Sequence, residues 1–136
     1  MEEKKELESG FRVLNILLLE SSFSRIASVT FNDPAIKQEI DVKVMVNVKS
    51  TTEVMSTVQV VFNQIFNEEK QVSATIKMVG VFEKLGESPL NLQDFGEVNG
   101  AAIIYPYIRE HLSSLSAKAG LGLIYLPPVN LTKKKQ

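Results

Sequence analysis

The sequence predicts an α+β domain: an antiparallel β-sheet meander followed by one long helix and an apolar crossover loop. Three observations carry this reading. Apolar residues recur with period two over much of the stretch from Phe11 to Phe82, and polar or small-residue turns punctuate that stretch. The spacing then changes to three and four between Ala101 and Ala119. Strands grouped ahead of a helix, with no repeat and no second-domain boundary, make an α+β order. A chain of 136 residues suits one core.

Residues 1–10, MEEKKELESG, read as a flexible charged leader closed by Gly10. The first strand begins at Phe11. Phe11, Val13, Asn15, Leu17 and Leu19 alternate with Arg12, Leu14, Ile16 and Leu18, so both faces carry apolar side chains. A strand apolar on both faces is expected at the centre of a sheet or under a partner. Phe23 to Phe31 is a second strand candidate, closed by the turn Asn32-Asp33-Pro34. Ile40, Val42, Val44, Val46 and Val48 then point one way, and Asp41, Lys43, Met45, Asn47 and Lys49 the other. That alternation marks a half-buried antiparallel strand.

Ser50-Thr51-Thr52 makes the next turn, and Val54 to Phe66 the next strand. Its Val58, Val60 and Phe62 share one face, Met55, Val61 and Ile65 the other. A hairpin at Asn67-Glu68-Glu69 leads to a last strand with Val72, Ala74, Ile76, Met78 and Gly80 on one side, ending at Phe82. Gly86 to Asp94 reads as loop. The helix is expected over Ala101–Ala119, with Ile104, Ile108, His111, Leu112 and Leu115 as its apolar stripe. Pro106 should kink that helix or mark its start, and Gly120 should end it. Leu121 to Leu131 is too apolar for a solvated loop, and Pro127-Pro128 prevents a helix, so it should lie against other parts of the fold. The basic tail 132–136 follows.

Composition excludes several chemistries. The formal net charge of -1 gives no electrostatic footprint for nucleic acid. There is no cysteine, hence no disulfide, thiolate or Cys-based metal site. The leader lacks the apolar core of a signal peptide. No run of about 18 apolar residues exists to span a membrane, so a cytoplasmic protein is expected. The one histidine, His111, has no carboxylates arranged with it as metal ligands; packing or an interface is its plain role. No G-x-S-x-G motif occurs, and the GLG at 120–122 follows a helix instead of opening one, so it is no phosphate cradle. Glu68 and Glu69 read as solvated hairpin charge. No enzyme activity and no cofactor are expected. An apolar surplus remains: one sheet and one helix cannot easily bury two strands apolar on both faces plus an apolar tail. Such a surplus points to self-association or to a binding groove.

The stretch 100–131, GAAIIYPYIREHLSSLSAKAGLGLIYLPPVNL, resembles the SecB family of export chaperones. The resemblance rests on Tyr105-Pro106-Tyr107 with Arg109 and Glu110, on the crossover 121–126, and on Pro128-Val129-Asn130. It extends in order and length over a single SecB-like domain at 11–131. It implies an ATP-independent chaperone that binds unfolded preprotein or other non-native polypeptide in apolar grooves between helix and crossover loop. Tyr105, Leu121, Leu123, Ile124 and Leu126 take the groove-wall positions. It also implies a homo-oligomer, a tetramer or dimer, joined through first strands and long helices. The surface matched to the one that docks the SecA motor holds Glu20, Ser73 and Thr75, of which only Glu20 is acidic. Family members continue past the Pro-Val-Asn ending into a second helix, where this sequence runs through lysines to Gln136. Two other readings stay open: a dedicated chaperone of one partner, such as an antitoxin, and a ligand-binding or structural oligomer with the same fold.

Overall fold

The computed structural model describes residues 10–124 and residue 126. The leader before Gly10, Tyr125, the Pro128-Val129-Asn130 ending and the basic tail lie outside the described residues. Four strands, β1 (Phe11–Arg25), β2 (Lys37–Val48), β3 (Glu53–Phe66) and β4 (Glu69–Lys84), form one antiparallel sheet in the order β1-β4-β3-β2. A helical segment follows: a single turn α1 (Leu92–Asp94), a π-helical stretch Phe95–Gly100 and α2 (Ala101–Lys118).

The meander is built by its turns. Asn67 and Glu68 both take positive φ, 51° and 65°, and connect the pair Phe66 and Glu69. This is the mirror-image turn whose twist matches that of the flanking strands. Between β2 and β3, Ser50 Oγ accepts from the amides of Thr52 and Glu53. The sheet's inner face carries Val54, Val58, Val60, Phe62, Val72, Ala74, Ile76 and Phe82. Ile104, Ile108 and Leu112 of α2 close the core over it, all fully buried as the three- and four-residue spacing anticipates.

Four expectations need correction. First, of the two placements expected for β1, the centre of the sheet does not occur: β1 is an edge strand. Its simple alternation also fails, because register shifts at Val13/Asn15 and Leu18/Glu20 leave Leu14 and Leu19 as extra residues. Each bulge moves later side chains to the opposite face. Val13, Ile16, Ser21 and Phe23 therefore pair beside inner-face residues of β4, while Asn15, Leu17 and Glu20 fall on the outer face.

Second, Phe23–Phe31 is no separate strand: β1 runs on to Arg25 and 26–36 is a loop. Gln71 takes the groups a further strand would need. It lies at a register shift between Gln64 and Ile65, its backbone oxygen accepts from Ile26 N, and its buried side chain bonds Thr30 N at 2.8 Å and Thr30 Oγ1 at 3.2 Å. The Asn32-Asp33-Pro34 turn does form, with Asp33 Oδ1 accepting from Ala35 N.

Third, Ala101 opens α2 as expected, but Gly86–Asp94 is not loop throughout, because a helical segment beginning at Leu92 leads into α2. Asn91 caps it, accepting from Asp94 N at 2.7 Å. Gly96 and Gly100 do not break it; they let its backbone approach the sheet. A Cβ on Gly100 would meet Ser56 Oγ at 2.5 Å, and one on Gly96 would meet Val46 Cγ1 at 2.7 Å. The buried Ser56 hydroxyl donates to Gly96 O at 2.8 Å. Fourth, of the two outcomes expected at Pro106, a kink or a helix start, the start does not occur: α2 continues through it. Ala102 and Pro106 are both exposed, so water can satisfy the carbonyl that the missing amide leaves unpaired.

Candidate apolar binding surface

The C-terminus of α2 is fixed by a glycine turn. Gly120 has φ +74°, its amide bonds Ala117 O at 3.1 Å, and the Leu121 amide bonds Ser116 O at 2.9 Å. These are the two reversed bonds that close a helix at a left-handed residue. The crossover 120–126, here called the strap, leaves from this point. Gly122 repeats the left-handed backbone at φ +74°.

Two side chains tie the strap's root. The fully buried Ser116 hydroxyl stands 2.6 Å from Gly122 O and 3.1 Å from Ser113 O. A hydroxyl has one proton to donate, and the shorter contact is the one to the strap. Arg25, the last residue of β1, spreads its guanidinium over three carbonyls: Ile26 O at 2.9 Å, Ala27 O at 2.8 Å and Ala119 O at 2.6 Å. The last of these lies at the negative end of the α2 dipole, where a cation is favourable.

The five groove-wall positions divide. Tyr105, Ile124 and Leu126 are buried in the core, Ile124 7% and Leu126 2% exposed. Leu121 is half-buried against that core, and Leu123 is 83% exposed. The strap thus buries Ile124 and Leu126 and turns Leu123 to solvent. Residues not singled out from the sequence as site residues pack on the same core: Ile40, Val42, Val44 and Val46 of edge strand β2 are half-buried against it. Their period-two pattern was the available signal.

On the outer sheet face Glu20 pairs with Lys77, Oε1 to Nζ 3.8 Å, so its charge has a local partner. Ser73 Oγ donates to Asn63 Oδ1 at 2.9 Å, and Thr75 stands in register between Ser22 and Val61. On β1, Leu17, Leu18 and Leu19 are 46%, 47% and 56% exposed. His111 hydrogen-bonds Ser21 through Nε2 at 2.9 Å, joining α2 to β1. Among the described residues no three His, Cys, Asp or Glu side chains gather as a metal site, and no helix is long and apolar enough to cross a membrane. The chemistry offered is apolar contact and the strand-edge backbone of β2, which pairs on its outer side with no other strand among the described residues.

The family model described as preprotein translocase subunit SecB matches residues 4–133. An uncharacterized protein of Methanocaldococcus jannaschii is 33% identical over 60 residues, 44% of this chain and 39% of that protein. The protein-export protein SecB of Dichelobacter nodosus is 39% identical over 51 residues, 38% of this chain and 32% of that one. The matched stretches thus span well under half the length of these curated relatives. A SecB-like chaperone of Mycobacterium tuberculosis, solved in complex with a ChAD peptide from the HigA1 antitoxin, shares the fold. Its TM-score is 0.72 at 17% identity, covering 91% of this chain and 94% of that one.

Proposed function

This chain belongs to the SecB family, and from that premise we propose that it is an ATP-independent chaperone holding non-native polypeptide against the strap and the half-covered face of β2. One observation carries the reading: Leu123 is 83% exposed on a strap whose neighbours Ile124 and Leu126 are anchored in the core. A large apolar side chain held in water by anchored neighbours is placed for a partner to cover. The edge of β2 that faces no other described strand adds main-chain groups that an extended client can pair with whatever its sequence, and such pairing suits broad selectivity. No catalytic step and no cofactor enter this function.

The subunit is proposed to act in the cytoplasm as a homodimer or a tetramer of paired dimers. The exposed run Leu17-Leu18-Leu19 on edge strand β1 supports this, being a combination of open backbone and apolar surface that soluble chains cover. Delivery of preprotein to SecA draws less support: the matched surface holds one acid, already paired with Lys77, and two neutral hydroxyls. A second reading, service to one dedicated partner such as an antitoxin, is favoured by the fold shared with a chaperone solved with an antitoxin peptide.

The test is aggregation suppression of a slowly refolding protein, with molar mass read by light scattering in the same buffer. Suppression of several unrelated clients by an oligomer is the expected result. A folded oligomer that suppresses none overturns the general chaperone and leaves the dedicated partner or a ligand-binding role.

A further inference from the structure

We propose that Arg25 and Ser116 are positioning residues for the client surface: together they hold the root of the strap so that Leu123 stays presented to solvent. The inference rests on the strap being a client surface, as proposed above. Neither residue is part of that surface. Ser116 is fully buried, and Arg25 is spread across backbone carbonyls.

The geometry separates two tasks. Strap residues Ile124 and Leu126 are held by apolar burial, which is non-directional and permits sliding. The backbone leading to them passes two left-handed glycines, Gly120 and Gly122, whose conformational freedom is large. A directional constraint is needed there, and the two side chains supply it. Ser116 fixes the carbonyl of Gly122, the residue immediately before Leu123. Arg25 fixes the carbonyl of Ala119, immediately before Gly120. Each bond therefore sits next to a flexible residue and removes its freedom. Arg25 also connects the strap to the loop after β1 through Ile26 O and Ala27 O, so a change at β1 reaches the strap through one planar group. An ordered strap meets its ordering cost on folding, not on client binding, and this raises affinity without adding a contact.

The test uses the full chain with Arg25→Lys, Ser116→Ala and both together. The client is a reduced, carboxymethylated protein that stays unfolded. Lysine keeps the charge but cannot fork over three carbonyls, and alanine removes one hydroxyl proton with little change of volume. Molar mass and thermal midpoint report the fold, hydrogen exchange of the 120–126 amides reports the strap, and calorimetric titration reports affinity. The double variant should keep its mass, exchange the strap amides faster, and bind the client about tenfold more weakly. If the double variant fails to fold, Ser116→Ala alone carries the test with the same signs and a smaller shift. Faster exchange with unchanged or tighter client binding overturns the proposal, tighter binding meaning that the ties hold the surface shut. Leu123→Asp separates the two levels. If it weakens binding while the tie variants do not, the positioning role falls and the client surface stands. If it too leaves binding unchanged, the strap is not a client surface and both fall.

Discussion

Phe11, the first residue of β1, and Phe95, the first residue of the π-helical stretch, stack with ring centroids 3.8 Å apart and planes 5° from parallel. Phe82 meets Phe95 edge-on at 5.2 Å and 71°, and all three rings are fully buried. The start of β1, the end of β4 and the start of the π-helical stretch therefore share one contact. Phe95→Ala should cost about 3–5 kcal/mol, because no neighbour can refill a ring-sized cavity between two strands and a helix. Urea unfolding followed by far-UV circular dichroism measures it; a loss under about 1 kcal/mol would show that the cluster collapses and is not the keystone of the helix–sheet junction.

Gly100→Ala isolates close packing. The glycine has ordinary helical φ and ψ, so alanine meets no backbone strain there, only Ser56 Oγ at 2.5 Å and Phe82 Cε2 at 3.0 Å. Overpacking of this kind costs about 1–3 kcal/mol, although alanine is the better helix former in open surroundings. A stabilised variant in the same unfolding experiment would mean that the helix can lift from the sheet at no cost.

Glu68→Gly should stabilise the chain by about 0.5–1 kcal/mol. Glu68 is exposed, accepts no described side-chain bond, and takes φ +65° in a turn whose second position favours glycine. The gain from relieving that backbone outweighs glycine's extra freedom in the unfolded chain. A lower midpoint in a thermal scan would show the reverse balance.

Leu17→Asp with Leu19→Asp should lower the molar mass seen by light scattering at low micromolar concentration, since it places charge on the edge proposed to join subunits. Both side chains are largely exposed in the single subunit, so the fold itself should be little affected. An unchanged mass would move the interface away from β1.

Much of the architecture was legible because it is written in local periodicity. The alternation from Ile40 to Val48 anticipated β2, that from Val54 to Phe62 the inner face of β3, and Ile104, Ile108 and Leu112 the stripe that covers the sheet. The Asn67 turn and the Gly120 stop followed from residue types that tolerate positive φ. Other features were not legible. The helical turns ahead of Ala101 were not legible, because the close approach of Gly96 to Val46 and of Gly100 to Ser56 exists only in the fold. Phe23–Phe31 looked extended, but Gln71, far along the chain, captures its backbone through Ile26 and Thr30.

For the proposed client surface the division is the same. The sequence by itself determined that an apolar crossover follows the helix and must pack on something. It could not say that Ile124 and Leu126 go inward while Leu123 stays out, nor that β1 lies at an edge with two bulges redistributing its leucines. Those outcomes depend on pairings between distant residues, Arg25 with Ala119 and Leu17 with Val79 among them. Periodicity reports which side of an element is apolar, but what covers that side is decided only when the rest of the chain has packed around it.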